Sequence, residues 1–157
     1  MAGTLVAQDV FGALRPEQVN AISDASEKIA CAVGDTIYEQ GAPADYFFVV
    51  LEGEVTLKMP GRSGVSIVID QLGKGQMFGS CVCFYRDTYA LTAQCSSDAV
   101  LLKAKSPVLR NLMDEDLMMG YALQTRISEI YFTRYIDTMK KLQAIVMNIP
   151  VDVAVAT

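Results

Sequence analysis

Between residues 28 and 104 turn-forming residues cut the chain into short apolar runs, and this punctuation constrains the fold more than any other feature. Residues 28–33 alternate, with Ile29, Cys31 and Val33 on one face, and Gly34-Asp35 then turns the chain. Residues 36–40 make a second short run and residues 41–45 a second turn. Residues 46–51 are almost wholly apolar, as a strand buried on both faces would be. After Glu52-Gly53, residues 54–59 alternate cleanly with their charges outward, and residues 60–64 read as a hairpin loop. Residues 65–72 return with Val65, Ile67 and Ile69 on one face, and residues 98–104 make a last strand. Short runs between such turns predict an antiparallel sandwich or barrel.

Helical patterns flank this region. Residues 6–14 suggest a loose helix, and Arg15-Pro16-Glu17-Gln18 reads as a helix start, with proline in the first turn and an acid beside it. Val19, Ile22 and Ala25 would face inward. Ser106-Pro107 opens another helix, with serine as its cap. Asp114-Glu115-Asp116 then starts a long one, running from about Glu115 to Met147 and ended by Asn148-Ile149-Pro150. On it, Ser128, Phe132, Tyr135, Met139, Leu142 and Val146 recur in alternating steps of four and three, a coiled-coil seam that extends back to Thr125, Tyr121 and Met118. Leu123, Ile127 and Ile130 form a second stripe that can cover the sheet. Two apolar stripes on one helix point to two partners, the chain's own body and a second one.

Residues 70–95 carry the candidate site. Gly73 and Gly75 force a turn, Phe78 anchors it, and Gly79 lets the backbone come close to another group. Small residues follow from Ser80 to Cys83, a pattern suited to one helical turn whose free N–H groups face an anion. Residues 88–95 then return as a strand. This stretch resembles the phosphate-binding cassette of the cyclic-nucleotide-binding domain of the catabolite activator protein family. Phe78-Gly79 matches the cassette's opening, and Ala90 and Thr92 match its close. Upstream, residues 34–41 and 45–55 resemble two further glycine-containing runs of that family, in the same order, and the resemblance covers roughly residues 10–147.

The resemblance implies a mainly β fold: a double-stranded β-helix, or jelly roll, with a flanking N-terminal helix and a long C-terminal dimerisation helix. It divides the chain into an N-terminal helical segment (1–25), a β-roll (26–105) with a cassette-like stretch (73–92), C-terminal helices (106–147) and a tail (148–157). The implied ligand contacts are Phe78, Gly79, Ser80, Cys81, Thr88, Tyr89 and Ala90, with Tyr131 or Arg134 closing the pocket from the long helix. A homodimer through Ser128, Phe132, Tyr135, Met139, Leu142 and Val146 is implied as well. Two positions depart from the pattern. The family's ribose-holding glutamate is Ser80 here, and its phosphate-pairing arginine falls on Tyr89. Neither replacement offers a carboxylate acceptor or a bidentate cationic fork. Arg86 stands nearby as a substitute cation.

Other features narrow the function. A net charge of −5 does not suit a nucleic-acid-binding surface. The chain has no histidine, which removes the usual proton shuttle and the commonest metal ligand. Without an acid pair, a triad or a phosphate-gripping loop of the NTPase type, the expectation is no enzyme, no metal and no resident cofactor. Cys81 and Cys83 read as small apolar fillers, with a redox role as the sharper alternative. The absence of a leader or membrane-spanning run suggests a cytoplasmic protein with reduced thiols. Only eleven residues follow Val146, so the expectation is a sensor without the helix-turn-helix output domain that the family's transcription factors carry there. The expected function is a regulatory sensor for a cyclic nucleotide, bound weakly, or for another small ligand. The alternative is a dimerising scaffold with a degenerate pocket.

Overall fold

The structure is a computed structural model that describes residues 11, 12, 14–80 and 86–148. The early helix expected over residues 6–14, the cassette residues Cys81 and Cys83, and most of the tail lie outside or largely outside the described residues.

Helix α1 (Pro16–Asp24) begins with proline in its first turn, and the Gln18 side chain caps the Arg15 N–H at 2.9 Å. Eight strands follow among the described residues: β1 (Ser26–Cys31), β2 (Thr36–Tyr38), β3 (Tyr46–Glu52), β4 (Val55–Pro60), β5 (Ser66–Leu72), β6 (Met77–Phe78), β7 (Thr92–Cys95) and β8 (Ala99–Lys105). They form two four-stranded sheets, ordered β1-β8-β3-β6 and β2-β7-β4-β5, and every pairing is antiparallel. The expected sandwich is therefore present. Two helices close the chain, α2 (Ser106–Glu115) and α3 (Leu117–Met147).

The core has two compartments. Between the sheets lie Phe48, Val50, Val55, Leu57, Leu72, Phe78, Tyr89 and Leu101. On the outer face of the first sheet, Phe47, Val49 and Leu102 pack against Val19 and Ile22 of α1, Leu109 of α2, and Leu123 and Ile127 of α3. Strand β3 feeds both compartments with alternate residues, so Phe47 to Leu51 are all buried, as their unbroken hydrophobicity requires. Leu123 and Ile127 are the stripe of α3 that covers the sheet.

Several local expectations change. Strand β1 stops at Cys31, and Val33 lies exposed in the turn. There Asp35 accepts from the Ala32 N–H and Asp98 from the Val33 N–H, so local capping outweighs the alternating pattern. Val65 and Ile67 are exposed, because β5 is an edge strand and no described residue packs over the outer end of its hairpin. Ser106 does not cap α2. Its buried hydroxyl donates to the Ala44 carbonyl at 3.1 Å and ties the helix start to the β2–β3 turn. Asp116 caps α3, accepting from the Met119 N–H at 3.0 Å, so the helix begins at Leu117 rather than Glu115. That hydrogen bond, with smaller help from Gln18 and Arg15, holds the Asp116 carboxyl below its ordinary range.

Candidate functional site

A cleft of about 320 Å³ opens between the second sheet and α3. Its sheet wall is Tyr38 of β2, Leu57 and Met59 of β4, Ile69 of β5 and Leu91 before β7. Gly79 and Ala90 line it from the cassette-like stretch. The helix side supplies Tyr131, Arg134, Tyr135 and Thr138, all on one face of α3 because their steps are three, one and three.

Gly79 is needed at its position. Its φ is +77°, and a Cβ there would sit 3.3 Å from the Phe48 ring, the Tyr46 carbonyl and the Tyr89 ring. The chain therefore turns tightly after β6, and any side chain at residue 79 would be both strained and crowded. Phe78 is fully buried and stacks on Phe48 with ring centroids 5.2 Å apart, so it supports the cleft from behind. Ser80 is buried too, and its hydroxyl lies 3.3 Å from the Tyr131 hydroxyl. This pair links the start of the cassette to α3.

Tyr89 points into the roll, but it forms no part of the cleft wall. Its ring stacks on Tyr38 at 3.6 Å with an interplanar angle of 15°. Its hydroxyl donates to the Tyr46 carbonyl at 2.7 Å and accepts from the Tyr46 N–H at 3.3 Å. The position where the resemblance expects a phosphate-binding arginine is thus taken up by an aromatic plug, anchored at both ends. Thr88 is exposed and bridges Pro43, away from the cleft. Arg86 is exposed as well. Cys81 lies outside the described residues.

Among the described residues, Arg134 is the only charged side chain in the cleft lining. Its Nε donates to Asp70 Oδ2 at 2.7 Å, and Nη2 reaches the Met77 carbonyl at 3.5 Å. Its guanidinium also lies 5.3 Å from the centre of the Tyr131 ring. Both partners are largely shielded from water, and the Arg134–Asp70 pair joins α3 to β5. Asp70 sits in an edge strand with no motif around it, and the sequence reading missed it. Tyr38, Leu57, Met59, Ile69, Leu91 and Thr138 were missed as well: Tyr38 and Leu91 lie inside runs that resemble the family without being among the matched positions, Thr138 falls between seam positions of α3, and the alternation in β4 and β5 marks Leu57, Met59 and Ile69 only as sharing a side of the sheet. Tyr135, expected in the dimer seam, also lines the cleft.

Beyond the cleft, the seam residues Ser128, Phe132, Tyr135, Met139, Leu142 and Val146 are all exposed in the single chain. Every residue from 141 to 148 is exposed, and Lys141 at the start of this stretch reaches the Ile69 carbonyl of β5 at 3.5 Å. Among the described residues no helix is long and apolar enough to cross a membrane, and no cluster of three potential metal-ligating His, Cys, Asp or Glu side chains occurs.

Comparison with known proteins agrees with this architecture. The chain is 22% identical over 134 residues to a cAMP-dependent protein kinase regulatory subunit of Dictyostelium discoideum, covering 85% of this chain and 41% of that protein. A regulatory subunit of Eremothecium gossypii is 27% identical over 92 residues, 59% of this chain and 19% of that one. The chain thus spans less than half the length of these relatives. Among solved structures, the sensor domain of the transcriptional regulator DNR from Pseudomonas aeruginosa superposes with a TM-score of 0.73 at 18% identity, covering 97% and 95% of the two chains. The regulatory domain of Toxoplasma gondii protein kinase A, solved with cAMP, superposes with a TM-score of 0.71 at 16% identity over 84% and 48%. The family model described as cyclic nucleotide-binding domain matches residues 29–116, more than half of the 157 residues. This match, together with two sheets in the same roll and a long helix across the cleft, makes the chain a member of the cyclic nucleotide-binding domain family.

Proposed function

We propose that this chain is a regulatory sensor module that takes a small organic ligand in the cleft between the roll and α3 and performs no catalysis itself. The observation that carries the reading is the cleft, bounded on one side by a helix that a partly buried ion pair fastens to the roll. A ligand there touches Tyr131, Arg134, Tyr135 and Thr138 at once, so its binding alters how α3 sits on the sheet. The outer seam of α3 pairs with a second copy, which turns a local change into a change between protomers. Cysteines outside any disulfide, Cys31 and Cys95, support a cytoplasmic setting.

Cyclic AMP is a poor ligand on this reading. The cassette lacks the carboxylate and the guanidinium, and Tyr89 occupies the arginine's position. Each lost charge-assisted hydrogen bond removes roughly 1.5–3 kcal/mol. Two such losses weaken binding by roughly two to four orders of magnitude. Calorimetry with cyclic AMP, cyclic GMP and cyclic dinucleotides should therefore show affinities far weaker than micromolar. A low-micromolar constant for any of them would mean that Arg86 or backbone groups replace the missing contacts. The scaffold reading is favoured by one specific observation, the two-ended anchoring of Tyr89 in the core.

A further inference from the structure

We propose that the cleft selects a neutral, largely apolar small molecule and rejects anions, cyclic nucleotides included. This rests on the reading of the cleft as the ligand site and adds the chemical class of what fills it.

The lining is the first argument. Leu57, Met59, Ile69 and Leu91 contribute apolar surface, and Tyr38, Tyr131 and Tyr135 contribute aromatic rings. Such a wall rewards apolar area and ring stacking. A volume near 320 Å³ lies at the small end of the range for ligand pockets, about 300–1,000 Å³.

Charge is the second argument. A negatively charged ligand needs an available cation, and Arg134, the one cation in the lining among the described residues, is already engaged by Asp70 and by the Met77 carbonyl. The groups on the far side of Arg134 add no positive surplus. Asp70, Glu129 and Asp137 face Arg126 and Arg134 there, and Arg126 is paired with Glu129 at 3.0 Å. An incoming carboxylate or phosphate would share a shielded guanidinium with Asp70 and be repelled by it. A cation would meet Arg134 itself. A neutral molecule meets neither cost, because moving a charge out of water without a dedicated partner is far more expensive than moving a hydroxyl. Hydroxyls at Tyr135 and Thr138 stand at the helix side to meet one polar atom of the ligand.

The test uses three isosteric probes on the intact chain: 2-naphthalenemethanol, 2-naphthoate and 2-naphthylmethylammonium. The chain has no tryptophan, so naphthalene fluorescence reports binding cleanly, with calorimetry as a second readout. The alcohol should bind about tenfold or more tighter than either ion. Leu91→Arg should abolish its binding, and Thr138→Phe, which fills the cleft from the helix side, should do the same if Leu91→Arg fails to fold. Asp70→Asn releases Arg134 and should turn the preference toward naphthoate. Equal or tighter binding of naphthoate by the parent chain overturns the charge argument while leaving a ligand site in the cleft. An unchanged preference in the folded Asp70→Asn variant overturns it as well. If none of the three probes binds the folded parent, both this inference and the reading of the cleft as a ligand site fall.

Discussion

Tyr89→Ala, with Tyr89→Phe as its control, tests whether the former phosphate position has become core. Tyr89 is 4% exposed, its ring lies flat on Tyr38 at 3.6 Å, and its hydroxyl is held by the Tyr46 backbone at both 2.7 and 3.3 Å. Removing only the hydroxyl strands a partly buried carbonyl and should cost about 1–2 kcal/mol. Removing the ring leaves a cavity between Tyr38, Phe48 and Gly79, and large aromatic truncations of this kind cost about 3–5 kcal/mol. Set against a total stability of roughly 5–15 kcal/mol, the alanine variant loses a large share of the fold. For a chain of this size the melting temperature should fall by roughly 2–8 °C for phenylalanine and by roughly 6–20 °C for alanine. Urea denaturation at constant m-value measures both changes. The family-restoring pair Ser80→Glu with Tyr89→Arg should melt lower still, since it buries two charged groups beside Tyr131 and Tyr38. It should gain no cyclic nucleotide binding. An alanine variant within about 1 kcal/mol of the parent, or a folded double variant that binds cyclic AMP at low micromolar concentration, would refute the plug argument.

Phe132→Asp with Leu142→Asp places two carboxylates on the exposed seam of α3, and sedimentation should give a monomer for the variant and a dimer for the parent. A parent that stays monomeric at high micromolar concentration removes the dimer from the proposal. Burial, followed by the influence of Cys31, pushes the Cys95 thiol from 9.0 up to about 12. The folded state therefore holds a proton that the unfolded chain releases near 9.0; the associated stability is complete below that pH and lost as the pH rises toward about 12. Because the thiolate is the nucleophile, alkylation of Cys95 in native buffer should be much slower than in urea, as read by peptide mass spectrometry, and equal rates would contradict this.

The features legible in the sequence were those set by neighbours in the chain. Glycine and proline turns, the unbroken run of β3, the proline start of α1 and the four-three steps on α3 follow from backbone sterics and side-chain periodicity, both local. Reading them together gave the antiparallel sandwich and its flanking helices, and the resemblance of residues 34–41, 45–55 and 78–92 to known motif runs supplied the family. The replacement of the cassette's glutamate and arginine by Ser80 and Tyr89 was equally visible, and with it the weakness expected for cyclic nucleotides. What those replacements do was not visible. The fate of Tyr89 depends on Tyr38 and Tyr46, which the roll brings to it from other turns. The neutral character of the cleft depends on Asp70 reaching Arg134 across from β5 to α3. The exposure of Val65 and Ile67 follows from β5 lying at a sheet edge, although their pattern reads as one side of a strand with a face to bury. Each of these is a contact between residues distant in sequence, and only the closed roll with its helix laid across it brings such residues together.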